Sequence, residues 1–171
     1  MKTLYRTLIG IVALLIVAPL AVAGPPSWDD QINKPSRFKV LGKFNDEAVF
    51  DKETGLVWEQ SPETAPNPAT PTWFSALSSC SARIVGGRKG WRLPTLQELA
   101  SLIDPTQFPT LPSGHPFSNV LGAPYWSAST LADDSSRAWG VHLGGGGVFN
   151  DVKTLTSHVW CVRGGQGVDP Q

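Results

Sequence analysis

The chain has 171 residues, of which 41% are hydrophobic, with 14 basic side chains balanced by 14 acidic ones. That balance excludes a global pull towards nucleic acid, so any anion site must be local. The first residues point to export. Lys2 and Arg6 precede an apolar run from Leu8 to Leu20, and Ala21-Val22-Ala23 offers the small residues that a signal peptidase reads, so residues 1–23 are expected to be a signal peptide. The run to Ala23 falls short of the roughly 18 to 20 residues that span a bilayer. No cysteine follows it to supply the thiol of a lipoprotein anchor, so no stable membrane anchor is expected after cleavage. The product is expected in the periplasm or the medium. Cleavage would leave 148 residues with 12 basic and 14 acidic side chains, enough for one domain with a sizeable core.

Residues 24–36 are polar and proline-punctuated and read as a flexible leader, with one domain over 37–165 and a tail over 166–171. Ala48–Asp51 and Leu56–Glu59 flank Lys52-Glu53-Thr54-Gly55, whose glycine suits a turn, and the pattern predicts a β-hairpin. Ser61–Pro71 carries four prolines and reads as a loop. A first helix is predicted from near Thr72, because Trp73, Ala76, Leu77 and Cys80 form one apolar stripe that places Cys80 on the buried face.

Gly90-Trp91-Arg92-Leu93-Pro94-Thr95-Leu96-Gln97-Glu98-Leu99 then encodes a strand, a stop and a helix start in succession. Trp91 and Leu93 alternate with Arg92, Pro94 bars Leu93 from the helical region, and Thr95 with Glu98 matches a capping box. Leu96, Leu99, Leu102 and Ile103 face inward, and Asp104-Pro105 ends this second helix. Pro105–Pro124 is long and rich in turn formers, which marks it as a place for ligand contacts. Strands follow at Tyr125–Ser129, Arg137–Leu143, Val148–Lys153 and His158–Arg163, with Gly144–Gly147 as a turn. They predict an antiparallel sheet in the second half. Six of the seven tryptophans (28, 58, 73, 91, 126, 139 and 160) fall in predicted elements and are expected to fill the core.

No catalytic constellation emerges. His115 lies in the long loop, His142 and His158 lie on predicted strands, and none has the spaced partner of a metal motif. Ser127 and Ser129 lack a nucleophile elbow. Asp133-Asp134 reads as a solvated turn, with calcium binding as the alternative. No metal, cofactor or enzymatic activity is expected. Arg83, Arg88, Lys89 and Arg92 fall together with no acid between them, and Lys34, Arg37, Lys39 and Lys43 form a second basic cluster. Two such clusters on a slightly acidic chain offer an anion-binding surface for sulfated or acidic polysaccharide, against the plainer reading of solvated loops. Arg83, Arg88, Lys89, Arg92 and His115 are the ligand-binding candidates. Cys80 and Cys161 read as one disulfide in an oxidising compartment, and closing about 82 residues it would contribute on the order of 4.5 kcal/mol in the chain-entropy model.

Five segments resemble the Lcl C-terminal domain family, a bacterial extracytoplasmic group. They are Thr54–Trp58, Gly90–Thr95 with Glu98-Leu99, Tyr125–Ser129, Ala138–Val141 and Cys161–Gly165. The resemblance implies an α+β, C-type lectin-like fold with two short helices, a mainly antiparallel twisted sheet and long loops. In that fold a cysteine on the first helix pairs with one on a late strand. It assigns Trp58, Trp91, Leu93, Pro94, Thr95, Glu98, Trp126, Trp139, Arg163 and Gly164 to the shared scaffold. The family's namesake is a collagen-like adhesin whose terminal domain binds sulfated glycosaminoglycans and trimerises, so the expected partner is an extracellular glycan or surface protein, and a homo-oligomer is admitted. This chain lacks a Gly-x-y repeat and the Glu-Pro-Asn and Trp-Asn-Asp triplets of calcium-dependent lectins. Arg92–Thr95 and Val162–Gly165 also resemble pieces of the formylglycine-generating, sulfatase-modifying enzymes, the alternative reading, alongside an assembly role in the cell envelope. Those enzymes use a closely placed redox-active cysteine pair, which is not the spacing here.

Overall fold

The computed structural model describes residues 37–62 and 71–164. The expected signal peptide, the leader and the tail, with Trp28 and Lys34, lie outside the described residues. The strands are β1 (Phe38–Val40), β2 (Ala48–Asp51), β3 (Val57–Glu59), β4 (Pro124–Thr130), β5 (Arg137–His142), β6 (Gly147–Val152) and β7 (Val162–Arg163). The helices are α1 (Trp73–Ala82) and α2 (Leu96–Ala100), with a 3-10 turn at Gly42–Phe44. The class is α+β, as the sequence implies. The strands form two antiparallel sheets rather than one, in the orders β1-β2-β3-β7 and β4-β5-β6.

The predicted hairpin is β2–β3, with Phe50 opposite Val57. Asp51 organises its turn from a fully buried position. Its carboxylate accepts Arg37 Nε at 2.9 Å and Arg37 Nη2 at 2.7 Å, and also Thr54 Oγ1 at 2.9 Å and the Glu53 amide at 3.1 Å. Four donors replace the water that burial removes. Gly55 closes the turn at a φ of +72°, a left-handed conformation that glycine adopts without strain.

The helical stripe places Trp73, Ala76 and Cys80 inside, and Cys80 bonds Cys161, with a Cα–Cα distance of 5.4 Å and a sequence separation of 81. α2 starts with the predicted capping box. Glu98 N donates to Thr95 Oγ1 at 3.2 Å, and Thr95 N donates to Glu98 Oε2 at 2.8 Å. The helix is shorter than its apolar pattern. It ends at Ala100, and Leu102 stays fully buried in the turn that follows.

The last segment departs from the sequence expectation. Residues 158–163 do not extend the second sheet but cross from one sheet to the other. At one end the His158 amide donates to Pro124 O at 2.9 Å and Trp126 N donates to His158 O at 3.0 Å. At the other, Val162 and Arg163 pair with Trp58 and Val57 of β3. Glu59 draws the chain across: its Oε2 accepts the Cys161 amide at 2.9 Å, its carbonyl accepts Trp160 Nε1 at 2.9 Å, and the disulfide fixes Cys161 beside α1.

Two apolar clusters make the core. One gathers Trp58, Trp160, Leu99, Leu102, Leu111, Phe117 and Tyr125, and the other Phe44, Trp73, Trp91, Leu93, Trp126 and the disulfide. Among the described tryptophans, Trp58, Trp73, Trp91, Trp126 and Trp160 are buried, as core filling requires. Trp139 is half-buried and stands outside both clusters.

Candidate anion-binding face

The basic cluster of the sequence separates into structural and unpaired groups. Arg83 Nε lies 2.9 Å from Oε1 of the buried Glu59, off the line of a hydrogen bond, so the contact is an ion pair beside the disulfide. Arg92 holds Glu98 through two hydrogen bonds of 2.7 Å and gives a third to Gly164 O at 2.8 Å. Burial opposes the Glu98 charge, but Arg92 and Thr95 outweigh it and hold the carboxyl below its usual range. Arg92 therefore clamps α2 to the chain beyond β7. Arg37, of the second cluster, is buried against Asp51 and Glu53. Each of these guanidinium groups already faces a carboxylate.

Arg88 stands differently. Val85-Gly86-Gly87-Arg88 is a tight hairpin, with Val85 and Arg88 exchanging hydrogen bonds of 3.1 and 3.0 Å. The φ values of +55° at Gly86 and +70° at Gly87 give the primed turn such loops favour. Gly86 lies directly on the Phe44 backbone, where a Cβ would come 2.4 Å from Phe44 Cα, and its amide donates to Glu47 Oε2 at 2.7 Å. This close approach sets the Arg88 guanidinium over the Phe44 ring at 4.8 Å from the centroid.

Arg163 reaches the same ring at 5.8 Å. It belongs to a row set by strand register, Lys39–Phe50–Val57–Arg163, which runs across one face of the four-stranded sheet. Among the described residues neither Arg88 nor Arg163 has an acidic partner, and Arg88 Nε is buried with no acceptor. Lys39, Lys43 and Lys89 are exposed. Two arginines sharing one aromatic ring, with three exposed lysines on the elements around it, present donors for sulfate or carboxylate oxygens.

The remaining candidates have local roles. His115 Nδ1 accepts the Phe117 amide at 3.1 Å, and burial lowers its pKa. It braces a loop that itself contributes Leu111 and Phe117 to the core. Tyr125 pins the same loop by accepting the Leu121 amide at 3.0 Å. Asp134 Oδ1 accepts Ser136 Oγ at 2.6 Å and the Ser136 amide at 2.9 Å, the geometry of a solvated turn, and among the described residues no group of three potential ligands could hold a metal.

The family model for the Lcl C-terminal domain matches residues 47–163. The chain belongs to the Lcl C-terminal domain family. No curated protein matches it. The match contains Arg88, Lys89, Arg163 and both bonded cysteines, while Lys39, Lys43 and Phe44 immediately precede it. The Lcl C-terminal domain is an extracytoplasmic family, and a disulfide fits that setting. Among the described residues no helix is long and apolar enough to cross a membrane. Sequence reasoning placed Arg163 in the scaffold and overlooked its part in the basic face. Nothing near Arg163 in sequence signals the pairing of β7 with β3 or the approach to Phe44.

Proposed function

We propose that this Lcl C-terminal domain is an exported, non-catalytic binding module on a C-type lectin-like scaffold, and that it captures an acidic polysaccharide, sulfated or carboxylated, at the Phe44 face. Arg88 and Arg163 are the anchors, with Lys39, Lys43 and Lys89 at the margin. The observation that carries this reading is the pair of guanidinium groups, Arg88 and Arg163, that share the Phe44 ring and meet no acid among the described residues. The use of both cysteines in one disulfide supports binding over sulfatase-modifying chemistry, which needs a reactive thiol pair.

Heparin retention of the folded protein tests the assignment. Arg88→Ser with Arg163→Ser should elute at clearly lower salt than wild type. The charge-matched pair Lys52→Ser with Arg137→Ser should elute with wild type. Equal retention of the Arg88/Arg163 variant and wild type would reject this face.

A further inference from the structure

A second set of groups stands on the three-stranded sheet, built from residues that take no part in the Phe44 face. Register places His142 opposite Gly147, Gly140 opposite Phe149 and Ala138 opposite Asp151, so His142, Phe149 and Asp151 share one sheet face. The segment Leu155–Ser157 forms the other wall, held by pairing of Thr156 with Thr72 and by the Ser157 amide, which donates to Pro71 O at 3.3 Å. Between them lies an open pocket of about 380 Å³, lined in part by Pro124, His142, Phe149, Asp151, Leu155 and Thr156. This volume falls near the lower end of the roughly 300–1,000 Å³ typical of small-molecule sites.

The lining joins apolar and polar groups. A Cβ at Gly140 would come 2.4 Å from Phe149 Cζ, so the glycine lets the ring lie against the strand, and the Trp126 ring backs it at 6.1 Å. His142 Nδ1 accepts the Gly144 amide at 3.1 Å, which assigns the proton to Nε2 and makes that nitrogen a donor. Asp151 Oδ1 accepts the Val152 amide at 2.9 Å, and no cation pairs with this carboxylate among the described residues. Lys153, two residues on, is occupied elsewhere: its Nζ donates to Thr130 Oγ1 at 2.9 Å and lies 4.0 Å from the Trp73 ring centroid.

We propose that this pocket binds one neutral hexopyranose ring of a glycan. A pyranose offers an aliphatic face to Phe149 and Leu155, a hydroxyl donor to Asp151 and a hydroxyl acceptor to His142 Nε2. The Asp151 charge disfavours uronic acids and sulfated sugars, so the pocket selects a chemistry opposite to that of the Phe44 face. The two sites are independent.

NMR titration of the full chain with the methyl glycosides of glucose, galactose and mannose, and with N-acetylglucosamine, tests the assignment. At least one should shift the His142 and Phe149 resonances, and glucuronate should bind more weakly. Asp151→Asn should weaken the strongest response about tenfold, the worth of one hydrogen bond to a charged group, and exposed His142→Ala should weaken it as well. Both variants should keep wild-type thermal unfolding and heparin retention, which separates failure here from failure at the Phe44 face. Absence of a response to every neutral sugar, an unchanged affinity in folded Asp151→Asn, or glucuronate binding as tight as the neutral sugars would each overturn the proposal.

Discussion

The junction around the disulfide and the face around Phe44 draw on the same stretch of chain, and both hold arginine, but they use it in opposite ways. At the junction Arg83 meets the buried carboxylate of Glu59, which also holds the Cys161 amide, so one acid is compensated from two sides. At the face Arg88 and Arg163 meet an aromatic ring and, among the described residues, no acid. Paired guanidinium groups are consumed by stability, whereas the unpaired ones are those on which the proposed function draws. Proximity in sequence, the basis on which Arg83, Arg88, Lys89 and Arg92 form one cluster, does not distinguish these fates.

The difference can be probed by perturbing each region and reading stability and heparin retention together. The largest loss of stability is expected from Cys80→Ser with Cys161→Ser. Opening the long loop should cost about 4.5 kcal/mol in urea unfolding, and retention measured on the remaining folded fraction should persist. Glu59→Ala removes the acid from the buried pair and frees the Cys161 amide. It should cost about 3 kcal/mol while leaving retention of folded protein intact. Gly86→Ala acts on the other region. The new Cβ meets the Phe44 backbone at a positive φ, so the variant should lose about 2 kcal/mol and, with Arg88 displaced, retention as well. A Gly86→Ala protein with wild-type retention would show that the hairpin does not position Arg88 for binding.

Acid should give the smallest effect. Burial lowers the folded pKa of His115 and His158 from the ordinary 6.5, and the partners of Glu98 outweigh burial to lower its own from 4.5. A depressed folded pKa means that the unfolded chain takes up protons first, so stability is fully present above the ordinary value and falls as pH drops through the folded one. The thermal midpoint should therefore decline gently below pH 6.5 through the histidines and decline again below pH 4.5 through Glu98. A midpoint that rises on acidification would contradict both assignments.

The sequence was legible where the signal is local. The β2–β3 turn, the Trp73–Cys80 stripe, the Thr95–Glu98 box and the even cysteine pair each follow from residues within a few positions or from simple arithmetic, and each is present. Long-range pairing was not legible. Arg83 finds an acid in β3, Arg163 finds a ring in the 3-10 turn, and the last strand changes sheets, none of which leaves a periodic trace. The pocket was hidden for the same reason, since His142, Phe149 and Asp151 meet Leu155–Ser157 only after strand register and the Thr72–Thr156 bridge are set. The long loop was half legible: its turn formers are evident, but Leu111 and Phe117 turn it inward.

The pairing of β7 with β3 also closes a sheet edge with the last strand of the chain to be made. A chain synthesised or threaded amino end first presents β1, β2 and β3 early, but the outer edge of β3 stays bare until Val162 and Arg163 arrive. An uncovered strand edge invites pairing with other chains. Contacts so distant along the chain also slow folding. The same few residues that place Arg163 beside Phe44 therefore also close the edge of β3.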